Sequence, residues 1–262
     1  MLDYDREAAR YDATRGGDAR ADAAAGAIAS LLPPAARDGG RIADVGCGTG
    51  IVTVRLLRPG RSVIGVDRSA GMVSVAARRL PGRVALGSAT RLPLASGSAD
   101  VVTMVWLLHL LSPAEGAAAV AEAARVLGPG GLLITTVGKN DAAYGPGDDA
   151  AAIVGPARAS FDHDQTDRLD RVLAVGGRHG LALAARATFT GVGQGLSPRR
   201  RRKQLTGNND VPWIAALDRG RVDALDRELA RLPDQDRARP DPVYQLAALR
   251  KGLAASGLAA GG

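Results

Sequence analysis

Aromatic side chains are nearly missing from this 262-residue chain, at 3% of its residues, and it holds only three histidines and one cysteine. Cys47 has no partner for an internal disulfide. So few thiols and imidazoles also make no credible zinc set, and no metal is expected. Long apolar runs are absent as well. The longest, VVTMVWLLHLL, falls short of the roughly 18 residues a membrane span needs, and the charged opening MLDYDREAARYD lacks the apolar stretch of a secretory leader. These absences point to a cytoplasmic protein without membrane association.

Lysine is scarce too: of 34 cationic side chains, only Lys139, Lys203 and Lys251 are lysine. The net charge of +7 is concentrated, since residues 186–221 hold eight Lys/Arg against two Asp. The centre of that stretch, Ser197-Pro198 followed by four arginines and Lys203, has the cap serine and first-turn proline of a helix. No aromatic residue is interleaved with the run, as RNA or DNA recognition would favour, so a solvated helix is expected and a nucleic-acid partner is not.

What the chain does contain is a regular alternation. Apolar, β-rich runs at RIADV (41–45), SVIGV (62–66), RVALG (83–87), DVVTMV (100–105) and LLITTV (132–137) are mostly separated by helical stretches. Such alternation predicts an α/β fold with a parallel sheet covered by helices on both faces. Residues 3–32 read as one helix ended by Pro33-Pro34. Ser112-Pro113-Ala114-Glu115 supplies a capping box for a helix that runs to the turn Gly128-Pro-Gly-Gly131. Farther on, helices are expected over about 164–176, in the basic run and over 221–232, with strands at 181–189 and 243–251.

The densest signal is IADVGCGTGIVT, residues 42–53, where Gly46, Gly48 and Gly50 follow a strand-like run. A strand, a glycine turn and a helix form the usual cradle for nucleotide-like ligands in open α/β sheets. A phosphate loop would need Gly-Lys-Ser/Thr here, but Ile-Val-Thr follows Gly50. A dinucleotide site would space its glycines G-x-G-x-x-G, whereas this spacing is G-x-G-x-G with Asp44 before it. Asp67, ending VIGVD, is placed to accept the hydroxyls of a ribose, which fits NAD and S-adenosylmethionine equally.

Further motifs follow in order: Gly65-Val-Asp67-Arg68-Ser69 with Met72, Gly87-Ser88-Ala89-Thr90-Arg-Leu-Pro93, Ser98-Ala-Asp100-Val-Val102, Leu107-Leu-His109-Leu, and Ala124-Arg-Val-Leu-Gly-Pro-Gly-Gly131. Together with the glycine motif they resemble the class I S-adenosylmethionine-dependent methyltransferases, especially the branch of menaquinone and ubiquinone C-methyltransferases and small-molecule methyltransferases of bacterial secondary metabolism. The resemblance covers about residues 4–138. It implies a doubly wound, mostly parallel seven-stranded Rossmann-like sheet of order 3-2-1-4-5-7-6. It also implies an N-terminal helical cap (1–36), a cofactor-binding core (37–140), a remainder with lid helices and the last two strands (141–251), and a flexible tail (252–262).

By the same resemblance S-adenosylmethionine would lie against Asp44, Gly46, Cys47, Gly48 and Gly50, with Asp67 and Arg68 at the ribose and Met72 on the adenine. Ser88, Ala89 and Thr90 would border the adenine, although Ser88 stands where the family has aspartate. Tyr11 and Arg15 of the cap would meet the methionine carboxylate. His109 is the candidate base, its ordinary pKa near ~6.5 suiting proton abstraction; packing in an apolar run is the competing role. Trp106 would wall both the cofactor and the acceptor, and His109, Tyr144, Phe161 and Trp213, with His163 nearby, would complete the pocket for a small-molecule acceptor. The expected activity is methyl transfer to O, N or C. Cyclisation or rearrangement with the same cofactor and non-catalytic binding are the alternatives, and a monomer or homodimer is expected.

Overall fold

The structure, a computed structural model, describes residues 3–161, 165–207 and 211–253. Helices α1 (Tyr4–Glu7), α2 (Tyr11–Thr14), α3 (Gly17–Leu31) and α4 (Pro34–Arg37) open the chain. The single helix expected over residues 3–32 is therefore broken into three. Gly16 turns it with a left-handed φ of +90°, where a Cβ would stand 2.7 Å from the Val192 carbonyl oxygen, so the chain passes too close for a side chain.

Strands β1 (Arg41–Val45), β2 (Ser62–Asp67), β3 (Val84–Leu86), β4 (Ala99–Met104) and β5 (Leu127–Val137) follow, with helices α5 (Ala70–Arg79) between β2 and β3 and α6 (Pro113–Val126) between β4 and β5. The glycine motif does not lead into a full helix. A short 3-10 turn, Thr53–Leu56, takes its place, because Pro59-Gly60 ends the segment before helical turns can accumulate. The second half holds α7 (Asp149–Ala159), α8 (Leu169–Gly177), β6 (Leu181–Thr190), α9 (Pro198–Gly207), α10 (Pro212–Ala215), α11 (Arg219–Ala230) and β7 (Val243–Lys251).

The seven strands form one sheet of order β3-β2-β1-β4-β5-β7-β6. Pairing is parallel from β3 through β5, and β7 runs antiparallel to both β5 and β6. This is the order the resemblance implies. Asp44 sits opposite Gly65 on one side and Thr103 on the other, which aligns the carboxyl ends of three central strands. Ligands of open α/β sheets bind at that edge.

Two apolar layers cover the sheet. One packs Ala21, Ala24 and Ile28 of α3 on Ile42, Val101 and Ile134, and the other packs Ala119, Val120 and Ala123 of α6 on Val66, Val102 and Leu133. A third cluster joins α7, α9, α10 and α11 through Val154, Leu205, Trp213 and Leu229. The Gly128–Gly131 stretch, expected as a turn, is drawn into β5 directly after α6, where Gly131 lies within 3.0 Å of the Asp100 carbonyl oxygen at the position a Cβ would take. The tail expected over 252–262 lies outside the described residues beyond Leu253.

The capping box is present as read. Ser112 Oγ accepts from the Glu115 N–H at 3.3 Å and Glu115 Oε2 accepts from the Ser112 N–H at 2.9 Å. Ser112→Ala should cost about 1 kcal/mol, seen as a fall in Tm of about 2–4 °C for a domain of this size; an unchanged Tm by calorimetry counts against the cap's contribution.

Candidate functional site

The carboxyl ends of β1, β2 and β4, with α1 and α2 above them, enclose a cavity of about 470 Å³. Its floor is the glycine turn, where Gly46, Gly48 and Gly50 take left-handed φ values of +73°, +54° and +74°. The three positions differ in what a side chain would meet. At Gly46 a Cβ would strike Leu107 at 2.9 Å and at Gly50 it would press on Leu80 and Ala76, but at Gly48 no protein atom lies within 4 Å. Only Gly48 leaves a cradle for a ligand to approach the backbone.

Asp67 holds this turn in place. Its carboxylate accepts the Gly48 N–H at 2.8 Å and the Ser69 N–H at 2.9 Å, bridging the glycine turn to the start of α5. Ser69 then caps α5 by accepting the Met72 N–H at 3.1 Å, which sets buried Met72 against the cavity. Asp44 is fully buried, with its oxygens taking hydroxyl protons from Thr53 and from Thr103 at 2.7 Å. Burial pushes its carboxyl upward against those two bonds.

The cap is clasped to the sheet twice. Asp5 accepts from the Ser69 hydroxyl and from the Gly71 N–H at 2.8 Å, and these two bonds hold its carboxyl below the usual range. Asp12 accepts the Thr49 hydroxyl at 2.6 Å and pairs with Arg79 at 2.7 Å. Tyr11 and Arg15 consequently line the cavity, with the Arg15 guanidinium 5.7 Å from the Tyr11 ring centre.

Of the other expected residues, Cys47, Arg68, Ala89, Trp106 and His109 line the cavity, while Gly50, Ser88 and Thr90 do not. Gly50 is packed behind the turn. Ser88 is exposed, and its hydroxyl is taken up locally, accepting the Thr90 N–H at 3.2 Å and lying 2.8 Å from the Thr90 hydroxyl. Burial pushes the Cys47 thiol far up, so it carries no nucleophilic thiolate.

His109 follows β4 in the 3-10 turn Leu108–Leu110. Its environment departs from the expected neutral-pH base: burial, then the charges of Lys139 and Arg20, pull it down to about 3. The imidazole is therefore neutral at physiological pH. Lys139, just after β5, is itself pulled down to about 8 by burial and by Arg20 and Arg15.

Arg20 was not anticipated. It is 7% exposed, lines the cavity, and lays its guanidinium 3.4 Å from the centre of the Trp106 ring. A charge at position 20, in helical register with Ala24 and Ile28, interrupts the apolar face of α3 and is the signal that could have found it. Trp106 has a left-handed φ of +55° and is also packed edge-on by Phe189 and Tyr244, with ring centres 5.5 and 5.7 Å away.

The C-terminal aromatics lie elsewhere. Trp213 is buried in the third cluster and donates its indole N–H to the Tyr144 hydroxyl at 3.2 Å, while Phe161 packs against the same cluster. None of the three lines this cavity, because α7, α9 and α11 form their own apolar layer that consumes them. His163 lies outside the described residues. A wider cleft of about 1010 Å³ opens between the end of β5, β7 and α8, bordered by Asp141, Arg168 and Gln245. It lacks the glycine turn and the strand-end carboxylate. In the basic helix, Arg199, Arg201 and Arg202 pair with Asp236, Asp148 and Asp226 at 2.6–2.9 Å. Among the described residues no cluster of His, Cys, Asp or Glu is suited to a metal, and no helix is long and apolar enough to cross a membrane.

Known proteins share both sequence and fold with this chain. Residues 43–135 match a methyltransferase domain family. An uncharacterised methyltransferase of Geobacillus kaustophilus is 31% identical over 170 residues, covering 64% of this chain and 75% of that protein. One of Mycobacterium tuberculosis is 44% identical over 108 residues, covering 41% of this chain and 42% of its own length, so the match spans less than half of that relative. Among solved structures, the 4+2 cyclase SpnF shares the fold with a TM-score of 0.54 at 20% identity, covering 96% of this chain and 94% of that one.

The environment of His109 has a consequence for stability. Its folded pKa near 3 lies below the ordinary 6.5, so the unfolded chain binds more protons between those values and stability falls as pH drops through that window. His109→Leu should lose less stability than the wild type between pH 7 and 5 in denaturant titrations. Parallel losses in the two proteins would show that His109 is not held neutral.

Proposed function

Because this chain belongs to the class I S-adenosylmethionine-dependent methyltransferases, we propose that it moves a methyl group from that cofactor to an oxygen, nitrogen or carbon of a small organic molecule. The observation that carries the reading is the pairing of Gly48, open on its cavity side, with Asp67 at the end of the neighbouring strand, 2.8 Å away through a backbone N–H.

The residues present fit the cofactor. Asp67 uses one acceptor site on each oxygen for the backbone and keeps others for two ribose hydroxyls. Met72 offers a polarizable thioether to the adenine face. Asp44 and the carbonyls of the glycine turn suit an ammonium, and Arg15 with Tyr11 suits the methionine carboxylate. Cys47, Arg68 and Ala89 contribute wall. When bound, the cofactor supplies a methyl group on a sulfonium, which is electrophilic without further activation.

The chain's own part is to position the acceptor and exclude water. Holding the reactants together can supply roughly 7–11 kcal/mol of the barrier. Trp106 and His109 stand where β4 ends, on the acceptor side. His109, neutral above about pH 3, acts as a hydrogen-bond partner that orients the acceptor rather than as a store for its proton. A cytoplasmic setting, a role in bacterial secondary metabolism and a monomeric or homodimeric state belong to the same reading and rest on the resemblance. The internal pairing of the basic helix supports a small-molecule acceptor over a nucleic acid.

Two measurements test the proposal. Incubation with S-adenosylmethionine and a panel of phenols, amines and carboxylic acids should yield a product heavier by one methylene; stabilisation by NAD with no response to the sulfonium overturns the reading. Gly48→Ala should weaken S-adenosylhomocysteine binding by about tenfold or more, since the new methyl fills the cradle. Gly82→Ala is the control: its φ of +68° gives similar backbone strain in open space away from the cavity, and cofactor affinity should not move.

A further inference from the structure

We propose that the methyl acceptor is an organic carboxylate, held by Arg20 against the Trp106 wall of the cavity. The inference rests on the functional reading above and names the class of its second substrate.

A buried guanidinium normally has a carboxylate partner, because an isolated charge in a dry environment is costly. Arg20 has none among the described residues. Its Nη1 donates to the Arg15 carbonyl oxygen at 2.8 Å, Tyr11 offers a side-chain hydrogen bond, and its Nε is shut from water without a partner. Trp106 Nε1 and His109 Nδ1, on the same wall, are likewise buried and unpartnered. Lys139 lies close enough for its charge and that of Arg20 to oppose one another. None of the acids of the cavity pairs with Arg20: Asp12 is held by Arg79, and the oxygens of Asp67 and Asp44 lie on backbone N–H groups and threonine hydroxyls.

The cofactor, with its single carboxylate given to Arg15 and Tyr11 in the reading above, has none left for Arg20. Its ammonium and sulfonium outnumber its one carboxylate, so its arrival adds a further net positive charge. The counter-charge must come from the second ligand. A planar guanidinium stacked on an indole presents its edge as a fork, a shape that suits a carboxylate.

The test uses benzoate and its neutral isostere benzamide, titrated calorimetrically into the S-adenosylhomocysteine-saturated protein. Benzoate should bind and benzamide should bind at least about tenfold more weakly. Arg20→Met should weaken benzoate by about ten- to a hundredfold, keep S-adenosylhomocysteine within about threefold, and melt no lower than the wild type, because an uncompensated buried charge has been removed. Equal binding of the two probes overturns the inference. So does an Arg20→Met protein that loses S-adenosylhomocysteine yet binds 5′-methylthioadenosine normally, which places Arg20 on the cofactor's own carboxylate. If Arg20→Met does not fold, Arg20→Lys decides: the inference requires benzoate to weaken there too, since an ammonium lacks the fork. A wild type that ignores S-adenosylhomocysteine but takes benzoate through Arg20 refutes the methyltransferase reading and upholds the anion site. Binding of neither compound refutes both.

Discussion

The carboxylate of Asp67 joins two crossovers that would otherwise have no reason to meet. One oxygen takes the Gly48 N–H and the other the Ser69 N–H, so the left-handed glycine turn and the start of α5 share a single acceptor. From there the dependence spreads outward. Ser69, fixed by this bond, caps α5 and donates to Asp5, which anchors α1. Thr49, fixed beside Gly48, donates to Asp12 and so anchors α2. The cap over the cavity therefore rests on the same acid that the ligand's sugar would use. A cofactor entering this site would strengthen the hold of Asp67 without having to build the pocket.

Charge is sorted across the cavity. Asp44 and Asp67 line the floor, while Arg15 and Arg20 come from the cap side, where Asp12 is paired with Arg79. Such a gradient orients a zwitterion, with an ammonium toward the carboxylates of the floor and a carboxylate toward Arg15. It does not suit a pyrophosphate. The glycine turn here leads only to the 3-10 turn Thr53–Leu56, so no long helix follows it to aim an N-terminal dipole at a phosphate held there. The same short segment thus explains both the missing helix and the preference for an amino-acid-bearing nucleoside.

How much of this was legible in the sequence depended on whether the cause was local. The capping box at Ser112 is a matter of four consecutive residues, and it stands as read. Strand β7 runs from Val243 to Lys251 as its apolar texture predicts. The break in the first helix was not legible, because Gly16 bends where it meets Val192, a contact 176 residues away in the chain. The glycine motif was recognised as a unit, yet its members serve different ends: Gly46 and Gly50 yield to Leu107 and Ala76, and Gly48 alone leaves an approach. Tyr144, Phe161 and Trp213 were scarce aromatics and drew attention for that reason. In the structure they pack in or against a small helical layer, whose apolar filling takes them up.

The sharing of this fold with a cyclase shows that sheet order cannot decide the reaction. The wall opposite the cofactor must, and its support comes from an unexpected quarter. Trp106 is held in a left-handed conformation that costs an ordinary residue about 1–3 kcal/mol, and its backbone N–H is donated to the Thr136 hydroxyl of β5 at 2.8 Å. Phe189 of β6 and Tyr244 of β7 press on its ring, and Tyr244 donates its hydroxyl to Gln194 at 2.7 Å. The antiparallel strand and its partner, last in the chain and farthest from the glycine turn, thus set the surface an acceptor would meet. Substitutions there can reshape that surface while leaving Gly48, Asp67 and Met72 where they are. On the proposed reading, one half of the sheet would be free to vary the acceptor while the other kept the cofactor.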